Sequence, residues 1–316
     1  MSVTFVRSGI EDAVLDGEDV RWIATSLSAE EDATATLQVV GPTPPEVVIV
    51  DHYALDCAWE RVVAASGASV VAIDDLADRD HVGDLLIDHN PLPAERYDGR
   101  VPDATRRLIG PRYALLRPEG PSPDDDRRPR ELRDEVTRLL VGFGGGAALG
   151  PIALALDTLS DPRLSHLSVD LVVGSDHRVE EVQRTIRPDR GTVRVHGWVS
   201  DLEPMMRAAD VVLGAGGVSV LERLRLGLPA VVVTIADNQE ASCRALHQAG
   251  LLVHAGRFGE TGPEALAEAL LDLLQDVDAR RHVAERGPDL VDGLGAERCA
   301  AAIADLVATT PRHSDG

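Results

Sequence analysis

Apolar residues gather along the chain in short runs, Val47 to Val50, Val70 to Ile73, Leu139 to Phe143, Val169 to Val173, Val211 to Leu213 and Ala230 to Thr234, with longer amphipathic stretches between them. Val-rich runs separated by helix-length segments predict parallel strands buried on both faces in βαβ units. Ile152 to Leu159 and Gln239 to Gly250 read as two of the intervening helices. In the second, Ala245, Leu246 and Ala249 recur at helical spacing and Gly250 supplies a C-terminal stop. A last helix is expected over Ala296 to Ala308, with Ala300, Ile303 and Val307 on one face, before a frayed tail. Arg117 to Arg130 is rich in Pro, Asp and Arg and carries no large apolar residue, so it cannot join a core and reads as a linker. The expected organisation is an α/β fold of two parallel-sheet, Rossmann-like domains: residues 1–120, a linker over 121–134, and residues 135–316. A length of 316 residues fits two cores, since a domain takes roughly 150.

Composition narrows the chemistry. The net charge of -22 disfavours nucleic acid or an anionic membrane as a bulk partner, because neutralising phosphates needs a basic face. All 31 Lys+Arg residues are arginine, which excludes a Walker-type phosphate lysine and lysine Schiff-base chemistry. Any phosphorylated ligand must be held by main-chain amides and arginine. No apolar stretch approaches the roughly 20 residues of a membrane span, and Met1 to Gly9 lacks the basic head and apolar run of a secretory signal, so a cytoplasmic protein is expected. Three widely spaced cysteines, Cys57, Cys243 and Cys299, fit reduced small hydrophobes better than a disulfide framework or a zinc site.

Candidate chemistry collects where strands give way to helices. Gly142, Gly144, Gly145 and Gly146 follow the run Leu139 to Phe143, and glycines there let amides approach a phosphate, although many such turns are Gly-rich for steric reasons alone. A dinucleotide fold would also place an acid after the next strand, where Asp176 stands. Gly214 to Ser219 follow Val211 to Leu213, with Glu222 one turn into the next helix. The amides of Gly216, Gly217 and Ser219 with the Ser219 hydroxyl can cradle a diphosphate, and Glu222 can accept from ribose hydroxyls. An N-capping serine and a solvated glutamate would explain the same letters. Ala236 to Gln239 again open a helix after a buried strand, so Asn238 and Gln239 project from the carboxyl edge, where open α/β sheets bind ligands, unless they form an ordinary Asx cap. In the first half Asp51, His52 and Tyr53 follow Val47 to Val50, and Asp74 and Asp75 follow Val70 to Ile73. At most one of Asp74 and Asp75 faces a ligand if the chain stays extended. His52 is a candidate acid-base group or a structural histidine. No tight spacing supports a metal at Asp51, His52 and Asp75. No cofactor is expected.

Through the stretches VIVDHYALDCAWE (48–60), IDDLADRDHVGDLLIDHN (73–90), GPRYALLRPE (110–119), VGFGGG (141–146), ADVVLGAGGVSVLERLRLGLP (209–229), ADNQE (236–240) and VDGLGAER (291–298), the sequence resembles the UDP-sugar hydrolases of pseudaminic acid biosynthesis, relatives of the GT-B glycosyltransferase that makes lipid II. The resemblance implies a GT-B-like fold with an interdomain cleft and a UDP-sugar substrate. The implied reaction is hydrolysis of UDP-2,4-diacetamido-2,4,6-trideoxy-β-L-altropyranose to UDP and the free sugar by water attack at the anomeric carbon. UDP would lie on Gly216, Gly217, Ser219 and Glu222, with Asn238 and Gln239 on the diphosphate or sugar and Tyr53 and Asp75 on the sugar side. Pathway enzymes that consume the product are possible partners. The family usually opens with a strand, a Gly-rich loop ending in Gly-His and a helix, and that histidine is taken as the base. Here Ser2 to Val6 corresponds to the family's second strand, so the first domain is expected to lack its first strand and helix, and His52 is the substitute base. The family's Asp after the Gly-Gly pair is also replaced, by Gly146 and Ala147. A non-catalytic UDP-sugar-binding relative and a GT-B glycosyltransferase are the alternatives.

Overall fold

The computed structural model describes residues 3–8, 20–23, 27–117, 130–133, 135–144, 149–186 and 192–309. The expected linker, Gly145, Gly146 and the tail beyond Thr309 lie largely or wholly outside these residues. The chain forms two compact units, Met1–Leu115 with Ala296–Gly316, and Leu116–Gly295.

The first unit holds a four-stranded parallel sheet, β3 (Val47–Asp51), β4 (Ser69–Ile73), β5 (Leu85–Asp88) and β6 (Arg106–Ile109), in that order. A separate parallel pair joins β1 (Phe5–Ser8) to β2 (Val20–Ile23), so the expected strand at Ser2 to Val6 falls a few residues later. Helix α1 (Ala29–Val40) starts at a capping box in which Ser28 and Glu31 bond reciprocally, and Asp56 caps α2 (Cys57–Ala65) through the Ala58 amide. Trp59 Nε1 donates to Asp32 Oδ1 at 2.7 Å and ties the two helices together.

The last helix, α10 (Gly295–Thr309), was expected to belong with residues 135–316, but its residues from Ala296 onward group with the first unit. Cys299 and Ala302 are buried with Val71, Leu85, Ile87 and Leu108 of that sheet, and Ile303 and Leu306 pack alongside. The inward face is thus rotated from the expected Ala300, Ile303 and Val307, because two small residues, one of them a cysteine, fit closest to the strands.

The second unit is a six-stranded parallel sheet of order β12-β11-β10-β7-β8-β9. Its strands are β7 (Arg138–Gly142), β8 (Ser168–Val172), β9 (Val193–His196), β10 (Val211–Ala215), β11 (Ala230–Thr234) and β12 (Val253–Arg257). Helices α3 (Leu149–Thr158), α4 (Asp176–Thr185), α5 (Glu203–Ala208), α6 (Ser219–Arg225), α7 (Asp237–Gln248), α8 (Pro263–Gln275) and α9 (Val277–Leu290) connect or flank them. Every residue of β10 and β11 is buried, as the unbroken apolar runs require. The first strand, β7, sits centrally, and the order reverses between β7 and β10. In doubly wound sheets a crevice opens at that switch point, outside the carboxyl ends of the strands. Here the two strands approach closely: a Cβ on Gly214 would lie 2.5 Å from the Gly142 carbonyl oxygen, so only glycine fits.

Candidate functional site

A cavity of about 500 Å³ lies at this switch point, wholly within the second unit. Gly142 and Gly144 reach it from the end of β7, Gly174 from the end of β8, Trp198 to Leu202 from the loop after β9, Glu203 from the start of α5, and Ser219, Glu222 and Arg223 from α6. Arg117 lies on its wall and donates from Nη1 to the Ser200 carbonyl at 2.8 Å. Trp198 is 57% exposed, an apolar ring presented to solvent on the cavity wall. Its loop is held by Asp176, whose Oδ1 accepts from the Trp198 amide at 3.0 Å. That bond gives Asp176, the acid a dinucleotide fold would need, a structural task instead.

Of the residues singled out in the sequence, Gly142, Gly144, Ser219 and Glu222 meet in this cavity. Ser219 is the first helical residue of α6, not its N-cap, and its hydroxyl accepts from Arg223 Nη2 at 2.9 Å. Glu222 is half-buried, and burial pushes its carboxyl above the ordinary range against the pull of Arg223. Gly216, Gly217 and Gln239 form a neighbouring group outside the cavity lining. Gln239 Oε1 accepts from the Ile235 amide at 2.9 Å, and its Nε2 lies 3.7 Å from where a Gly217 Cβ would stand. The Asx cap is not formed: Ala236 is the N-cap of α7, with no side-chain cap bond, and Asn238 sits in the first turn. Gly145 falls outside the described residues. Trp198, Arg117, Asp201 and Arg223 were missed, since only the fold brings the loop after β9 to the end of β7.

In the first unit the carboxyl edge is built on buried charge. His81 lies between Glu60 and Asp74, with Nδ1 2.6 Å from Glu60 Oε1 and Nε2 3.6 Å from Asp74 Oδ2. Burial alone would lower its pKa, but the two carboxylates raise it to about 9. Glu60 also accepts from the Val82 and Gly83 amides at 2.5 and 3.0 Å. Burial would raise the Asp74 carboxyl, yet His81, the Ala77 amide and Arg79, 2.8 Å away, hold it well below the usual range. The Tyr97 hydroxyl donates between Asp74 Oδ2 and Asp88 Oδ2, at 3.0 and 3.2 Å. Of the adjacent acidic pair, Asp74 is therefore internal, while Asp75 accepts from the Tyr53 hydroxyl at 3.2 Å. Tyr53 is 61% exposed. His52 is exposed, and its Nδ1 accepts from the Ala54 amide at 3.1 Å. Among the described residues no group of three or more His, Cys, Asp or Glu side chains could hold a metal, and no helix is long and apolar enough to cross a membrane.

Comparison with known proteins matches these features to one kind of fold. The family profile "Glycosyl transferases group 1" matches residues 154–276, inside the second unit. The chain is 26% identical over 206 residues to the spore coat polysaccharide biosynthesis protein SpsG of Bacillus subtilis, covering 64% of this chain and 59% of that protein. It is 30% identical over 155 residues to the UDP-N-acetylglucosamine--N-acetylmuramyl-(pentapeptide) pyrophosphoryl-undecaprenol N-acetylglucosamine transferase of Shewanella amazonensis, covering 47% of this chain and 42% of that enzyme. The crystal structure of Acinetobacter baumannii MurG superposes with a TM-score of 0.69 at 15% identity, over 96% of this chain and 91% of that one. The chain therefore has the GT-B, glycosyltransferase-like fold of two parallel-sheet α/β domains.

Proposed function

We propose that the chain is a UDP-sugar hydrolase that releases UDP and a free 2,4-diacetamido-2,4,6-trideoxy hexose for pseudaminic acid biosynthesis. The observation that carries the reading is the switch-point cavity of the second unit, which combines side-chain-free glycines, the Ser219 hydroxyl, the half-buried Glu222 carboxylate and the exposed Trp198 indole in a nucleotide-sized space. In this reading the base lies against Trp198, and Glu222 accepts from the ribose hydroxyls. The diphosphate is held by amides of the Gly144 and Gly216–Ser219 turns and by the Ser219 hydroxyl, with Asn238 and Gln239 beside it. Tyr53 and Asp75 are assigned to the sugar.

Water attacks the anomeric carbon, the bond to the β-phosphate oxygen breaks with its electron pair leaving on UDP, and a base takes the water proton. His52 is the candidate base. Its bond from the Ala54 amide leaves the proton on Nε2, so His52 must exchange that bond before Nδ1 can accept. A second reading, transfer of the sugar to an acceptor, is favoured by the glycosyl transferase profile over 154–276 and by the transferase named among the relatives.

Incubation with the UDP-sugar followed by product analysis separates these readings. Equimolar UDP and free sugar are expected. Sugar recovered on an added acceptor selects the transferase, UDP binding without turnover selects a non-catalytic binder, and absence of any UDP binding removes all three.

A further inference from the structure

Arg223 is the buried cation of the cavity, 2% exposed as a residue. Three of its bonds point back into the protein: Nε to the Ser219 carbonyl at 2.9 Å, and Nη2 to the Ala215 carbonyl at 2.6 Å and the Ser219 hydroxyl at 2.9 Å. The other terminal nitrogen, Nη1, is buried and has no hydrogen-bond partner. Among the described residues no carboxylate stands within ion-pair distance of this guanidinium. The other two arginines on the cavity wall are differently placed, since Arg117 bonds the Ser200 carbonyl and Arg225 pairs with Glu203 at 2.8 Å. Burial depresses the Arg223 pKa to about 10, still well above neutrality, so the charge persists.

A buried, charged donor without a counter-ion is costly unless an anion reaches it. Glycine makes room for the guanidinium itself, whose Nη1 packs beside Gly214. A Cβ on Gly214 would come within 3.2 Å of it, and Gly142 and Gly144 line the same cavity without side chains. In a chain without lysine, a fixed guanidinium is the group that can supply both charge and a directed donor to a phosphoryl oxygen.

We propose that Arg223 Nη1 is the anion-binding donor of the cavity and takes a phosphoryl oxygen of the bound nucleoside diphosphate, while the rest of the guanidinium holds the 215–219 turn in place. This rests on the nucleotide-sugar reading above and adds to it the residue that neutralises the leaving diphosphate.

Calorimetry of the full chain with uridine and with UDP tests it, because uridine reports the nucleoside contacts alone. Wild-type protein is expected to bind UDP about 100-fold more tightly than uridine, and Arg223→Gln to lose most of that ratio while keeping uridine affinity within about twofold. Arg223→Lys, which keeps a charge but not Nη1, covers the case in which the glutamine variant fails to fold, and is expected to lower the ratio about tenfold. A UDP-to-uridine ratio unchanged in a folded variant overturns the assignment. Failure of the wild-type chain to bind either compound overturns the nucleotide reading itself, before any substitution is made.

Discussion

The carboxyl edges of the two sheets treat charge in opposite ways. In the first unit Glu60, His81, Asp74, Tyr97 and Asp88 form a chain of buried groups in which each charge has an opposite charge or a donor beside it. In the second unit Glu222 and Arg223 are adjacent in sequence, but they make no ion pair, and the cavity stands open beside them. The first arrangement fixes where strand ends and loops go. The second leaves its charge to be used by something that arrives. Buried charges stabilise a fold when an opposite charge compensates them, so the paired cluster is read as scaffolding and the charge without a counter-charge as a binding site.

The contrast breaks most severely at Glu60. Glu60→Ala strands the His81 cation and two amides in the interior, and urea denaturation should show a loss of about 3–5 kcal/mol. A loss below about 1 kcal/mol, the range of an exposed ion pair, would mean that the network is not structural.

The pH dependence comes next in size. His81 is raised from 6.5 to about 9, so its stabilising contribution is whole below pH 6.5 and disappears as pH rises through 9. Unfolding free energies from urea titrations between pH 6 and 10 should fall across that window by up to about 3 kcal/mol, and a flat profile would show that folding does not raise the His81 pKa.

The smallest effect sharpens the other side. Glu222→Gln should leave stability unchanged or slightly improved, because burial opposes its charge. It should weaken nucleoside binding about tenfold by calorimetry, that is about 1.4 kcal/mol.

Much of this architecture was legible because parallel strands advertise themselves: the runs at 47–50, 70–73 and 230–234 are strands in place, and Gly250, at φ 70°, sits in the left-handed conformation expected after α7. The strands at Arg106–Ile109, Val193–His196 and Val253–Arg257 did not stand out, since each lies at an edge of its sheet and mixes Arg or His with its apolar residues. For the site, strand-to-helix glycines pointed at Ser219 and Glu222 because their chemistry is local. Arg223 was invisible for the opposite reason. On the sequence it is one of many arginines beside a glutamate, and only its packing beneath Gly214 distinguishes it.

The placement of α10 sets the order in which the two units can be completed. The helix α10 covers Val71, Leu85, Ile87 and Leu108, which leave the ribosome some two hundred residues before it. The second unit has all its strands available before that helix emerges, so it can mature during translation, whereas the first must wait with one apolar sheet face uncovered. Premature stop codons anywhere upstream of 296 would therefore harm the first unit although its sheet is already made, and expression yield should track α10.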